Sequence, residues 1–428
     1  MKIQRFNRFA AACVLALAAC GGSTTDGPAT DLAGTETDAP EFDIAVAEVG
    51  YDGLTVVDTN PGDTHADTAG ADDATTVPEN VDCTKGSVLG VACAPSQQTF
   101  VSGALVKLDL TGPCVPGGLH LEATADAKGN YTFDNVPPGS GTIAFQKGSF
   151  QGSGNVEILP GQQTDLTGAS KRCFKSSATS IAVITGDSDN IGELLDELGL
   201  QHTDFSDGTT STASTSAAHA LLTDPAKLAQ YNVLFINCSG TVQGMFTKDP
   251  KVADNLAQFV ADGHSLYASD WAWAYVEWAF PQAIDYYGAD QSFTKGQSGP
   301  DNSDKTGPRQ GPGPTLTEKK NGAKPTQVAA SIIDPGLSGA LGQTTTTIFY
   351  DLGTWVVIDT PGFGTTVHIQ GKVSSSDGNW GTRPLAVSFH PNDQGRVVYP
   401  TFHNIAQADA GASVADIKAI LSYLVFSL

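Results

Sequence analysis

The chain has 428 residues, a formal net charge of −23 and only 16% charged side chains, with 47 glycines and 23 prolines. So large an acidic surplus excludes nucleic acid as a partner, because neutralising phosphates needs clustered Lys and Arg. A composition poor in charge and rich in Gly, Ser and Thr suits an exported protein.

Residues 1–19 have the layout of a signal peptide. Lys2, Arg5 and Arg8 precede an apolar stretch, Phe9 to Ala19, that is too short to span a bilayer. It ends in Leu17-Ala18-Ala19-Cys20-Gly21, which resembles the lipobox of bacterial lipoproteins. The resemblance implies cleavage before Cys20, acylation of that cysteine and a protein whose partner is the membrane through that anchor. Gly21 after the cysteine, where an Asp would imply retention at the inner membrane, implies the outer membrane of the cell envelope. Each buried methylene adds about 0.8 kcal/mol, so two or three acyl chains anchor durably where one does not. The alternative is an ordinary secretory cleavage site with a cysteine beside it.

From residue 20 to 82 the chain reads as a tether. Residues 21–84 carry fifteen Asp and Glu, among them Asp26, Glu41, Asp58, Asp72 and Asp82, and no Lys or Arg. With Pro, Gly, Thr and Ala making up much of the remainder, this segment cannot bury enough apolar surface to offset its ordering entropy. Self-repulsion keeps it extended. The acidic run DTNPGDTHADTAGADD matches no EF-hand spacing, and Phe42 to Val57 alternates as a transient strand would.

Five cysteines follow Cys20: Cys83, Cys93, Cys114, Cys173 and Cys238. An odd number leaves one free or paired between chains. In an oxidising envelope, Cys93 with Cys114 and Cys83 with Cys173 are the expected disulfides, the second clamping the ends of the domain between them, although sequence alone does not fix the connectivity. Cys238, after an apolar strand, reads as a small buried thiol and not a reactive one.

Residues 83–173 read as a small antiparallel β-sandwich, with short alternating runs between Gly86 and Leu166 broken by turn signals. In ATADAKGNYTFDNVPPGSGTIAF, Asp126 and Gly129 suit a tight hairpin, and Tyr131 and Phe133 share one face. Pro137-Pro138-Gly139 then turns the chain into the strand Thr142 to Phe145. Together with GALVKLDL before it and VEILPGQQTDL after it, this pattern resembles the carboxypeptidase regulatory-like domain, a transthyretin-like, or prealbumin-like, sandwich. Gly141 departs from the family, which often has an aromatic there. The resemblance implies a non-catalytic module that spaces, stabilises or presents a neighbour.

From 180 to 428 strand-like and helical runs alternate: SIAVITG then IGELLDELG, YNVLFINCSG then DPKVADNLAQFVADG, HSLYASD then WAWAYVEWAF. That alternation marks a parallel sheet with helices on both faces. For the helix over 249–262, Asp249 can cap, Pro250 fits the first turn, Val252, Leu256, Phe259 and Val260 form one stripe, and Gly263 ends it. A loop-rich insertion, about 293–324, gathers Lys295, Lys305, Arg309, Lys319, Lys320 and Lys324, and reads as a solvated loop. Strands at TWVVID, TTVHIQGK, PLAVSFH and RVVYPTFH and a helix from Val414 to Phe426 close the chain.

This order resembles the class I glutamine amidotransferase-like fold, in its trehalose-utilisation-type branch: a flavodoxin-like α/β domain with an antiparallel extension. YNVLFINCSG looks like the strand before the oxyanion-side turn, Leu256 to Asp270 like the helix and strand before the nucleophile elbow, and GRVVYPTFHN like the strand ending in the catalytic histidine. Ligands bind beyond the carboxyl ends of strands in such sheets, so Asp187, Cys238-Ser239-Gly240, Ser269-Asp270-Trp271 and His403-Asn404 should converge. The resemblance puts Asp270 where the family has its cysteine, His403 on the family's histidine and Ile405 in place of the acid. A carboxylate is a far poorer nucleophile toward an amide than a thiolate, which implies a degenerate domain in which Asp270 caps the following helix.

Four alternatives stand beside that reading. Asp270 and His403 could activate water for hydrolysis, with the Ser239 and Gly240 amides receiving charge. Cys238 could attack with His403 as base, or Asp187, Asp270 and His403 could hold a metal, although no HExxH or CxxC spacing supports one. Trp271, Tyr275 and Trp278 fall on one helical face and could border a binding crevice for carbohydrate or an envelope protein. Nothing in the pattern calls for a cofactor.

Overall fold

A computed structural model describes residues 81–168, 171–209, 211–241, 251–286, 290–291, 298–299, 322, 326–350, 355–375, 378–402 and 414–428. The signal peptide, Cys20, the tether with its transient strand, Asp249, Pro250, the basic residues of the insertion, His403, Asn404 and Ile405 lie outside the described residues. All of the described residues belong to one compact unit, 73–428. Among them no helix is long and apolar enough to cross a membrane.

Seven strands form the first part: β1 (Gly86–Val91), β2 (Leu105–Gly112), β3 (Val115–Thr124), β4 (Asn130–Val136), β5 (Gly139–Lys147), β6 (Phe150–Ile158) and β7 (Gln163–Leu166). They build two sheets, β4-β1-β7 and β3-β2-β5-β6. Every pair is antiparallel except β1 with β7. The hairpin before β4 is held as its residues dictate: Asp126 Oδ1 accepts the backbone N–H groups of Lys128 and Asn130, and Gly129 takes a left-handed conformation at φ 80°. Tyr131 and Phe133 are buried side by side. The glycine at 141 is explained by packing, since a Cβ there would lie 1.8 Å from the Asp109 carbonyl oxygen.

The disulfides are Cys83–Cys114 and Cys93–Cys173, with Cα–Cα separations of 5.5 and 4.6 Å, so the expected pairing of the same four cysteines is crossed. Two contacts explain the exchange. The turn between β2 and β3 brings Cys114 back to the segment before β1, its sulfur 3.7 Å from the Asp82 carbonyl oxygen. Cys93, past the other end of β1, lies beside the segment leaving the sandwich, where Phe174 N–H donates to its carbonyl at 2.8 Å. Cys238 is free and buried.

The second part contains, in order, β8 (Ile181–Thr185), α1 (Ile191–Leu198), β9 (Thr203–Ser206), α2 (Ala217–Leu222), α3 (Pro225–Leu228), β10 (Val233–Ile236), α4 (Lys251–Ala261), β11 (Ser265–Ala268), α5 (Trp273–Ala279) and β12 (Ile284–Tyr286). Then come the two-residue strands β13 (Asp290–Gln291) and β14 (Ser298–Gly299), β15 (Thr326–Ile332), α6 (Pro335–Leu341), β16 (Thr345–Tyr350), β17 (Ile358–Pro361), β18 (Thr366–Ser375), β19 (Gly378–Phe389), β20 (Val397–Pro400) and α7 (Val414–Val425). Nine of these strands make one sheet in the order β16-β15-β18-β19-β20-β11-β10-β8-β9.

The run from β20 to β9 is parallel throughout. Numbered by appearance, β9, β8, β10, β11 and β20 read 2-1-3-4-5, the flavodoxin-like doubly wound order. The other four strands extend the sheet in antiparallel pairs. VLFI, SLYA and VVYP are buried at every position, as parallel strands covered on both faces must be. One face packs on α2, α4 and α5. The opposite face packs on α1, α7 and the sandwich, where Phe426 meets Phe150 and Phe174 with ring centroids 5.1 and 5.6 Å apart. α4 buries the expected stripe Val252, Leu256, Phe259 and Val260.

Candidate functional site

The order of the strands reverses between β8 and β10, and the loops leaving β8, β10 and β11 meet there. The two strands approach so closely that a Cβ on Gly186 would lie 2.2 Å from the Cys238 carbonyl oxygen. Asn237 Oδ1 accepts the backbone N–H of Ile191 at 3.0 Å and so ties the start of α1 to the end of β10. The Ser269 hydroxyl donates to Asp189 Oδ2 at 2.6 Å while accepting the Cys238 N–H at 3.1 Å. One hydroxyl thus joins all three loops.

Asp270 follows directly, at a strand-to-helix bend. Its φ of 40° lies in the left-handed region, where a side-chain-bearing residue is strained. Its side chain is 1% exposed. Oδ1 accepts the Val356 N–H at 2.7 Å and Oδ2 faces the Cys238 thiol at 3.6 Å. The Tyr399 hydroxyl donates to the Asp270 carbonyl at 2.7 Å. Ser269, the residue before the 3₁₀ turn Asp270–Ala272, makes no side-chain cap bond to that turn. Val356, arriving from the far side of the insertion, brings its N–H to the inward-facing carboxylate.

The neighbouring groups are occupied in the same manner. The Ser239 hydroxyl donates to Asp207 Oδ2, which also accepts from the Thr241 hydroxyl at 2.6 Å. The Cys238 thiol is pushed well up by burial and by the negative charge of Asp270; a thiol so placed does not ionise readily and is no nucleophile. Asp187 is exposed, its Oδ1 accepting from the Ser188 hydroxyl at 3.1 Å, and Gly240 is half-buried. Trp271 is half-buried, whereas Tyr275 and Trp278 are buried in the core and present no face to solvent. Asp187, Cys238, Ser239, Gly240, Asp270 and Trp271 therefore all lie on the loops at this end of the sheet. Among the described residues no group of three or more His, Cys, Asp and Glu is arranged to hold a metal.

A second polar cluster was not singled out from the sequence. On β18 and β19, His368 Nδ1 is 2.6 Å from Asp334 Oδ2 and Nε2 is 2.8 Å from Ser388 Oγ. Arg396 donates to Ser388 Oγ at 3.1 Å and to the Ser427 carbonyl at 2.9 Å. These are the residue types of a hydrolytic triad in the right sequence of contacts. They lie, however, where β11 and β20 begin, at the end of the sheet away from Asp270, and His368 and Ser388 are both buried. The cluster acts as a polar clamp between β18, β19 and the end of α7. Its only sequence signal is a histidine in the alternating run TTVHIQGK.

No family model matches the chain, and no curated protein matches it. Among solved structures, a glutamine amidotransferase from Thermotoga maritima is 10% identical, with a TM-score of 0.31, covering 58% of this chain and 93% of its own. PurLQS from the same organism is 10% identical at a TM-score of 0.33, covering 58% and 97%. The N-terminal domain of mmIFT52 is 9% identical at 0.34, covering 58% and 98%. The fold assignment rests on the strand order itself, that of a doubly wound α/β domain.

Proposed function

We propose that the chain is a bacterial cell-envelope lipoprotein, held at the outer membrane by lipidated Cys20, whose amidotransferase-like domain is non-catalytic and binds carbohydrate or an envelope protein beyond its strand ends. One observation carries this reading: the residue at the strand-to-helix bend is a carboxylate that is sealed from solvent and engaged by the Val356 N–H. A general base must reach its proton or a water, and this one is closed off from solvent. The sandwich is read as a carboxypeptidase regulatory-like module that supports the larger domain. It carries the hairpin and the Tyr131/Phe133 face of that family, and it packs on α7. The anchor rests on the residues before and after Cys20.

The strained bend keeps one competing reading in view, in which Asp270 and His403 activate water for hydrolysis. Purified protein offered glutamine, aryl esters and aryl glycosides should show no turnover above buffer. Turnover abolished by Asp270→Asn would establish the hydrolase instead. Mass spectrometry of the mature amino terminus should find an acylated Cys20, and binding on an oligosaccharide array should weaken with Trp271→Ala.

A further inference from the structure

A cavity of about 460 Å³ opens between the sandwich and the α/β domain, far from the strand ends. Its sandwich wall comes from the end of β1, the loop 99–102, the hairpin 127–130 and the end of β5, and its other wall from α6 and α7. The lining is largely apolar: Val101, Leu341 and Phe426 contribute surface, and Phe100 stands at the edge, 54% exposed, where a large apolar side chain otherwise gains nothing.

The charged side chains in this lining are Lys147 and Lys128; no Asp or Glu contributes to it, in a chain whose net charge is −23. Lys147 is half-buried. Its ammonium group makes one long bond, 3.4 Å, to the Gly103 carbonyl, and sits 5.7 Å from the centre of the Tyr423 ring. Among the described residues it forms no ion pair. Burial and the nearby Arg396 guanidinium draw its pKa down, while Asp334 opposes them. A partly desolvated ammonium without a carboxylate partner, at the wall of an apolar cavity, stands to gain from an anion carrying its own apolar body. Cavities of this size at domain junctions, apolar with a few placed polar groups, are where small ligands bind.

We infer that this cavity is a binding site for a small amphiphilic carboxylate, with its apolar body between Phe100, Val101, Leu341 and Phe426 and its carboxylate on Lys147 Nζ. The site is independent of the strand-end reading, and either can fail without the other.

Isothermal titration of the purified protein with 4-phenylbutanoate and with decanoate tests it, each against the alcohol of the same skeleton. At least one acid should bind saturably, and its alcohol about tenfold more weakly, because a charge-assisted hydrogen bond is worth at least that factor. Lys147→Met should erase the preference for acid over alcohol, and Lys147→Arg should restore it. Ala419→Trp, at an exposed lining position, should block acid and alcohol alike without disturbing the core. Absence of saturable binding by either acid, equal affinity for acid and alcohol, or full acid binding by Lys147→Met with an unchanged melting curve would each overturn the assignment.

Discussion

Replacing Asp270 is the most informative single perturbation. In Asp270→Ala the Val356 N–H, 2.7 Å from Oδ1, loses its acceptor in a place closed to water. Leaving a buried donor unsatisfied costs about 1–3 kcal/mol. The backbone at φ 40° is unchanged, so alanine also bears the left-handed strain, about 1 kcal/mol, which aspartate tolerates better. The expected loss for alanine is about 2–4 kcal/mol. Asp270→Gly relieves the strain but not the orphaned N–H, and should fall about 1 kcal/mol short of the alanine loss. Asp270→Asn keeps an oxygen for Val356 and accepts the same φ, so it should stay within about 1 kcal/mol of wild type. Urea denaturation with an unchanged slope measures the series. An alanine variant within about 0.5 kcal/mol of wild type, or an order other than Asn, Gly, Ala, would refute the claim that this carboxylate is a structural acceptor.

Asp334 gives a pH test. Burial alone would raise its carboxyl, but the hydrogen bond from His368 and the N–H groups of Leu337 and Gly336 outweigh this and bring it to about 2 from 3.8. A depressed carboxylate stabilises the fold above its unfolded value and loses that contribution as pH falls through the folded one, so about 1 kcal/mol, discounted for partial exposure, should vanish between pH 3.8 and about 2 and be missing from the titration of Asp334→Asn. The disulfides close spans of 31 and 80 residues. Chain entropy ranks the second as the more stabilising, at about 4.5 kcal/mol against about 3.7 for the first, so Cys93→Ser with Cys173→Ser should lower the melting temperature more than Cys83→Ser with Cys114→Ser; peptide mapping that recovers Cys93 joined to Cys114 would contradict the connectivity. Cys238, buried and with its thiol pKa raised, should resist iodoacetamide until the protein unfolds.

Much of the α/β half was legible in the sequence because parallel strands covered on both faces are unbroken apolar runs, and IAVIT, VLFI and SLYA are of that kind. α4 showed its stripe because a helix buried on one face repeats its apolar residues every three to four positions. The hairpin before β4 was legible because Asp126 and Gly129 act within four residues. What escaped depends on contacts between distant residues. The cysteine pairing follows from how the β2–β3 turn folds back on Asp82. The acceptor role of Asp270 depends on Val356, 86 residues away. Asp334, His368 and Ser388 meet only through the antiparallel extension, and its strands β15 and β16 follow an insertion whose composition hides where the sheet resumes.

The proposed non-catalytic reading rests on more than one residue. A thiolate nucleophile needs a low pKa and a histidine in reach, but a thiol at position 270 would occupy the same closed space as Cys238, where burial already pushes a thiol up. The hydroxyls of Ser239 and Thr241 are turned inward onto Asp207, and that of Ser269 onto Asp189, so restoring the sulfur restores none of the surrounding polarity. Carboxylates crowd the site, and negative charge opposes both thiolate formation and an oxyanion. Asp270→Cys is therefore expected to release no ammonia from glutamine and to leave both Cys238 and the new thiol unalkylated in the folded protein. Ammonia release, or rapid labelling of residue 270, would mean that the bend opens to solvent, and the proposal of a non-catalytic domain would lose the observation that carries it.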